Sequence, residues 1–180
     1  AAKELLRRRA ARTGLIGFTE YTLPSYQSAW HHILIANKLD AVARGEIDRL
    51  MINMPPRHGK SELASRRFPA MLLGMQPEQT IISASYKITK AAEFGGEVRD
   101  IVRGAEYKAL FPNIELKEDT TAKDFWRTDQ GGYYIAAGVG TAITVSAFSA
   151  GWVLSAAGKA LAYIPNEIGS ALLYNERISR

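Results

Sequence analysis

The chain has 180 residues, 47% hydrophobic and 23% charged, a balance that suits one globular domain with its own core and excludes a disordered or fibrous chain. It contains no cysteine, which excludes disulfides and thiolate metal sites. The net charge of +5 is local: residues 1–12, "AAKELLRRRAAR", hold five basic side chains and one acidic and so carry +4 of it.

In chain order, residues 1–14 read as a basic N-terminal arm, either a solvated helix or an arm that touches phosphates. No clean apolar core follows the arginines, so no secretory signal is expected there. Residues 26–44, "YQSAWHHILIANKLDAVAR", set Trp30, Ile33, Leu34, Leu39 and Val42 mostly on one helical face, and Gly45 ends that helix. Arg49 to Met54 is a short apolar run that predicts a buried strand. Gly59 to Leu73 predicts a helix, closed by Gly74 and Pro77.

Gln79 to Tyr86, "QTIISASY", predicts a second strand, and Lys87 to Arg103 a strong amphipathic helix. "AEYKALFPN" adds a short turn of helix stopped by Pro112. "KDFWRTDQGGYYIAAGV" predicts a hairpin with its turn at Asp129 to Gly132. Two strand–helix units in succession imply parallel strands with helical crossovers, hence an α/β fold.

The last segment, Val145 to Arg180, differs: it is apolar and predicts a helical tail. Its uncharged run, "VSAFSAGWVLSAAG", is shorter than the roughly 20 residues a spanning helix needs. A buried or interfacial helix is preferred over insertion in a membrane.

Between the first predicted strand and its helix stands "MPPRHGKS". Pro55 and Pro56 have no N–H, so any cradle for an anion rests on the amides of Arg57, His58, Gly59, Lys60 and Ser61. Gly59 lets backbone approach a phosphate without a Cβ in the way. Lys60 is placed to pair with β- and γ-phosphates, and Ser61 to offer its hydroxyl to Mg²⁺. The general pattern, G-x-x-x-x-G-K-[ST], has a first glycine where this chain has Met54, and a left-handed turn there would disfavour Met. On these residues alone, a nucleotide-binding loop and an ordinary strand–helix turn both stand.

"RLMINMPPRHGKSELASRRFPAMLLG" resembles the ATPase motif of the large subunit of tailed-phage terminase, the motor that packages viral DNA. That family often carries Pro-Pro-Arg-x-Gly-Lys-Ser without the first glycine. The similarity continues through "TIISASYKITKAAEFGGEVRDIV", "YKALFPNIEL" and "GGYYIAAGVGTAIT", reaches upstream to "FTEYTLPSYQSAWHHILIANKLDAV", and covers about residues 15–144.

The resemblance implies a P-loop NTPase-like parallel sheet with crossover helices, ATP and Mg²⁺ as cofactors, and phosphate contacts from Arg57 through Ser61. Lys60 and Arg57 take the catalytic roles, Arg57 as an arginine finger supplied in cis. Gln27 is the candidate adenine contact; His31 or His32 could serve instead, and their plain reading is solvent or core positions on a helix. Tyr86 and Lys87 fall where coupling or DNA contact occurs in related motors, with a solvated strand end as the plain alternative. Double-stranded DNA, the small terminase subunit and the portal are the implied partners, in the cytoplasm of a bacterial host.

The likeness stops at Thr144. The family's next element, an apolar strand ending in acidic residues, has no counterpart: the first acid beyond is Glu167. Residues 15–144 therefore read as a partial P-loop domain, incomplete in its sheet, followed by a divergent tail. Such a chain is expected to bind nucleotide and to hydrolyse it poorly. Glu118, Asp119, Asp124 and Asp129 are available carboxylates, though no likeness supports them, and a ring assembly is doubtful. The alternatives are a non-catalytic prophage remnant or interaction module, and another P-loop ATPase of helicase-like type.

Overall fold

The computed structural model describes residues 2–85, 87–138 and 161–163. Helix α1 (Ala2–Thr13) carries the basic arm, and α2 (Leu15–Thr22) follows at once. The arm is docked: Ala11 is fully buried, and the Arg12 Nε–H donates to the Leu110 carbonyl at 2.8 Å. One of its five cations therefore closes another helix's C-terminus, where a positive charge is favoured. Asp40 accepts from the Leu15 amide at 3.0 Å, satisfying one of the donors left open at the start of α2.

Helix α3 (Trp30–Ala43) ends as expected, with Gly45 left-handed at φ 75°. Its predicted apolar face is split. Leu39 is buried, but Trp30, Ile33 and Leu34 are exposed, at 77%, 44% and 54%. Periodicity defines a face without saying what covers it, and only the C-terminal half of this one is covered.

Arg49 to Met54 is not a strand. Leu50 and Ile52 pack half-buried against the core while Met51 is 70% exposed. A buried strand needs ladder partners, and both edges of β1 (Thr80–Ser85) are already filled. The helix predicted from Gly59 is composite: it opens at Lys60, runs as a π-helical turn over Glu62–Arg67, then continues as α4 (Phe68–Met75). Pro69 supplies a reason. It has no N–H for the Ser65 carbonyl and its ring would crowd that oxygen. The wider turn, with the Phe68 amide reaching the Leu63 carbonyl, makes room for the ring.

The remaining elements are α5 (Ile88–Arg103), α6 (Ala105–Leu110), β2 (Leu116–Thr121), β3 (Phe125–Thr128), β4 (Tyr133–Gly138) and β5 (Leu161–Tyr163). They form one sheet in the order β2-β3-β4-β1-β5. The fold is α/β, but its sheet is mixed, not parallel throughout. Strands β4 and β5 run parallel to β1, whereas β3 pairs antiparallel with β4 and β2 antiparallel with β3. The β3–β4 hairpin turns where predicted, with Gly131 at φ 94°. Strand β2 was not anticipated, because "LKEDTT" has no alternating apolar pattern; it is an edge strand, and the Asp119–Arg127 ion pair at 2.5 Å ties it to β3. The tail was expected to be helical, but its described residues, Leu161–Tyr163, are the strand β5, held by its ladder to Ile81–Ser83 of β1. The rest of the tail lies outside the described residues, as do Tyr86 and Thr144.

Helix α5 covers one sheet face. The Trp126 indole N–H donates to the Gly95 carbonyl at 2.9 Å, and Trp126 stacks on Tyr134 with centroids 5.2 Å apart. Burial holds the Tyr134 and Tyr26 hydroxyls protonated, each raised to about 12, and raises Tyr107 as well. An unfolded tyrosine titrates near 10, so above that pH the unfolded chain releases protons that the native chain keeps. Stability is then intact below pH 10 and falls as pH climbs toward 12. Tyrosinate absorbance and loss of circular dichroism are expected to rise together in that window. Full ionisation near pH 10 with the dichroism unchanged would count against it.

Among the described residues, no helix is long and apolar enough to cross a membrane.

Candidate phosphate-binding site

The chain reaches the loop through Met54 and two prolines. Among the described residues the only non-glycine with positive φ is Arg57, at 64°, and Gly59 follows at 79°. The left-handed positions are therefore 57 and 59, and Met54 is not one of them. This removes the objection to Met54. A left-handed conformation costs a non-glycine residue about 1–2 kcal/mol, and such strain gathers where surrounding structure enforces it. Here the enforcement is visible: the His58 Nδ1–H donates to the Pro56 carbonyl at 2.8 Å, closing a tight turn around Arg57.

The helix opens at Lys60, and the first amide to find a helical partner is that of Leu63, which donates to the Gly59 carbonyl at 3.1 Å. The amides of Lys60, Ser61 and Glu62 therefore precede the first turn's acceptors. Lys60 and Ser61 are half-buried, Arg57 and His58 exposed. Among the described residues Lys60 makes no ion pair. Two cations, free first-turn amides and a hydroxyl thus meet at one helix start. That donor set suits a polyanion.

The carboxylate that follows the loop in the chain, Glu62, is engaged elsewhere. Glu62 accepts from Arg67 at 2.7 Å and from Arg66 at 3.1 Å, and Arg66 also grips Glu97 through two nitrogens, at 2.5 and 3.1 Å. The π-turn makes the Glu62–Arg67 pair possible, since it brings residues five apart onto one face. Arg67 is 8% exposed and also donates to the Thr22 hydroxyl at 2.9 Å. The bond to Glu97 is the main influence raising the Arg66 pKa.

Asp119 and Asp129 are likewise committed, one to Arg127 and the other to the Glu115 amide. An open cavity of about 590 Å³ beside the π-turn is lined by Thr22, Glu62, Arg66, Glu97, Glu106 and Tyr107. Its acids outnumber its cations, so its lining does not suit an anion.

All three histidines of the chain converge on the loop. The His31 and His32 rings lie 4.1 Å apart, and His31 lies 6.2 Å from His58. Desolvation first, then His32 and His58, holds the His31 pKa below its usual range. Among the described residues no group of three or more histidines or acids stands where it could hold a metal ion.

Gln27 is exposed, on the segment between α2 and α3. Its neighbour Tyr26 lays its ring 5.3 Å from His32, which puts Gln27 at the same corner, but no hydrogen bond among the described residues joins it to the loop. Lys87 is exposed at the N-cap of α5. Sequence reading missed that His32 supports the loop. A local signal was present: His32 stands at the third position of α3, from which a side-chain acceptor reaches back to the N-cap amide of Ala29.

Comparison with protein-family models, with curated proteins and with solved structures returns no match.

Proposed function

We propose that this chain is a nucleotide-binding P-loop domain of the terminase large-subunit type, which takes Mg-ATP at Arg57–Ser61 and turns it over poorly. The observation that carries the reading is the pair of left-handed residues, Arg57 and Gly59, immediately before a helix that opens at Lys60, which makes no ion pair among the described residues. Lys60 would neutralise the β- and γ-phosphates, Gly59 would admit them, and Arg57 would reach over them from an exposed position. Magnesium would ride on the phosphates, with the Ser61 hydroxyl as its protein ligand.

Poor turnover follows from the sequence, where no apolar strand ending in acidic residues follows Thr144, and Glu62 does not replace it. A carboxylate held by two arginines is not free to orient water. Double-stranded DNA, the small terminase subunit and the portal enter as partners through the resemblance alone.

Titration calorimetry with Mg-ATP, beside Lys60→Ala, tests this. The expected result is binding by the parent chain, weakened at least about tenfold in the variant, with no phosphate release by either. Equal affinity in both would overturn the loop assignment, and Lys60-dependent turnover would overturn the impaired hydrolysis.

One observation favours a second reading, an interaction module. Trp30, Ile33 and Leu34 leave an exposed apolar surface beside the loop. A chain that binds no nucleotide would support it.

A further inference from the structure

His32 touches two structures at once. Its Nδ1 accepts from the Ala29 amide at 3.0 Å, back-capping α3. A ring nitrogen that accepts carries no proton, so in the neutral ring the hydrogen is on Nε2. Nε2 lies 3.2 Å from the His58 carbonyl oxygen, and therefore donates to it. The same nitrogen stands 2.5 Å from where a Cβ on Gly59 would be. One imidazole, in one tautomer, is thus wedged between the start of a helix and the turn of the loop.

The consequence lies in the peptide that joins His58 to Gly59. The unit is planar and trans, so its carbonyl and its N–H point in opposite directions. Holding the His58 oxygen against α3 turns the Gly59 amide away from α3. It also holds the left-handed Gly59 in a space that only glycine fits.

We propose that His32 is a positioning residue of the phosphate loop: its Nε2–H tautomer, selected by the Ala29 amide, aims the Gly59 amide outward for an anion. The inference rests on the nucleotide-binding reading of the loop. His32 does not touch the ligand; it acts through the His58–Gly59 peptide.

The arrangement is specific to the neutral ring. A protonated His32 has donors at both nitrogens, so its Nδ1–H would face the Ala29 N–H with nothing to accept. The groups around it are the His31 and His58 rings, the Tyr26 ring and, beyond Tyr26, the Glu62 carboxylate already tied to Arg66 and Arg67.

Two variants separate the nitrogens. His32→Asn keeps an acceptor near Nδ1 but has no donor at Nε2, whereas His32→Gln places a donor near Nε2. Mg-ATP is expected to bind His32→Asn about tenfold more weakly, with far-UV dichroism unchanged, and His32→Gln recovers most of the loss. Nitrogen-15 spectra of the parent chain are expected to show the Nε2–H tautomer at His32. Parent-like affinity in His32→Asn, or an Nδ1–H tautomer, would overturn the inference.

If the parent chain shows no Lys60-dependent binding, the functional reading fails first. The positioning role is then decided without nucleotide, by the tautomer and by the Gly59 amide resonance. That resonance moves in His32→Asn and returns in His32→Gln if the role is real, and is unaffected if it is not. The parent-chain tautomer also decides the case should a variant fail to fold.

Discussion

Trp126→Ala is expected to lower stability by about 3–5 kcal/mol, the range for truncating a large buried aromatic. Trp126 is fully buried in β3, and three contributions act together there. Its surface is withdrawn from water, its ring stacks on Tyr134 within 5° of parallel, and its indole N–H satisfies the Gly95 carbonyl of α5. Removing it leaves a cavity between sheet and helix that α5 cannot close by moving inward. A Cβ at Gly95 would already strike the Lys123 carbonyl and the Tyr134 ring, so helix and sheet are at contact distance. Trp126→Phe retains a ring but not the hydrogen bond and should lose less, with about 1 kcal/mol for the bond itself. Urea unfolding of both variants measures the difference. A loss under 1 kcal/mol for Trp126→Ala would mean that α5 is held to the sheet by something other than this contact.

Gly59→Ala is expected to abolish anion binding while leaving most of the fold intact. Two costs combine at this position. The left-handed φ of 79° is one an alanine adopts only at about 1–2 kcal/mol, and the new methyl would lie 2.5 Å from the His32 Nε2. Either the loop leaves its conformation or His32 leaves its cap, and in both cases the His58–Gly59 peptide is no longer held. Gly131→Ala is the control. Gly131 has φ 94° but nothing within 4 Å of its missing Cβ, so only the backbone cost applies, and it lies in the β3–β4 turn. The expected outcome is a smaller drop in melting temperature for Gly131→Ala than for Gly59→Ala, with Mg-ATP affinity lost only in Gly59→Ala. Equal affinity in both variants would detach Gly59 from the binding reading.

Much of the scaffold was legible because its signals are local. Strand β1, helix α5 and the β3–β4 turn occupy the residues that alternation, helical periodicity and Asp129–Gly132 indicate. The helix opening at Lys60 was legible in the same way. The π-turn was missed although its cause, Pro69, stood in the open. An interior proline was read as part of a helix when it also required the backbone to widen.

The run Arg49–Met54 was misread for a different reason. Its composition suits a strand, but composition does not supply a ladder partner, and the two places beside β1 are taken by β4 and β5, far along the chain. Similarly, the spacing of Trp30, Ile33 and Leu34 describes a face, while its exposure depends on what packs there.

The loop divides along the same line. The donor types are written in the residues: Arg57, Lys60 and Ser61 at a helix start, after two prolines that cannot donate. Their conformation comes from packing between distant segments. That packing placed the left-handed turn at Arg57 and Gly59 instead of Met54, committed Glu62 to Arg66 and Arg67, and brought His32 from another helix to hold the His58 carbonyl. The reason is physical. Propensity and spacing act over a few residues, whereas the direction of a peptide plane here is set by a ring 26 positions away in the chain.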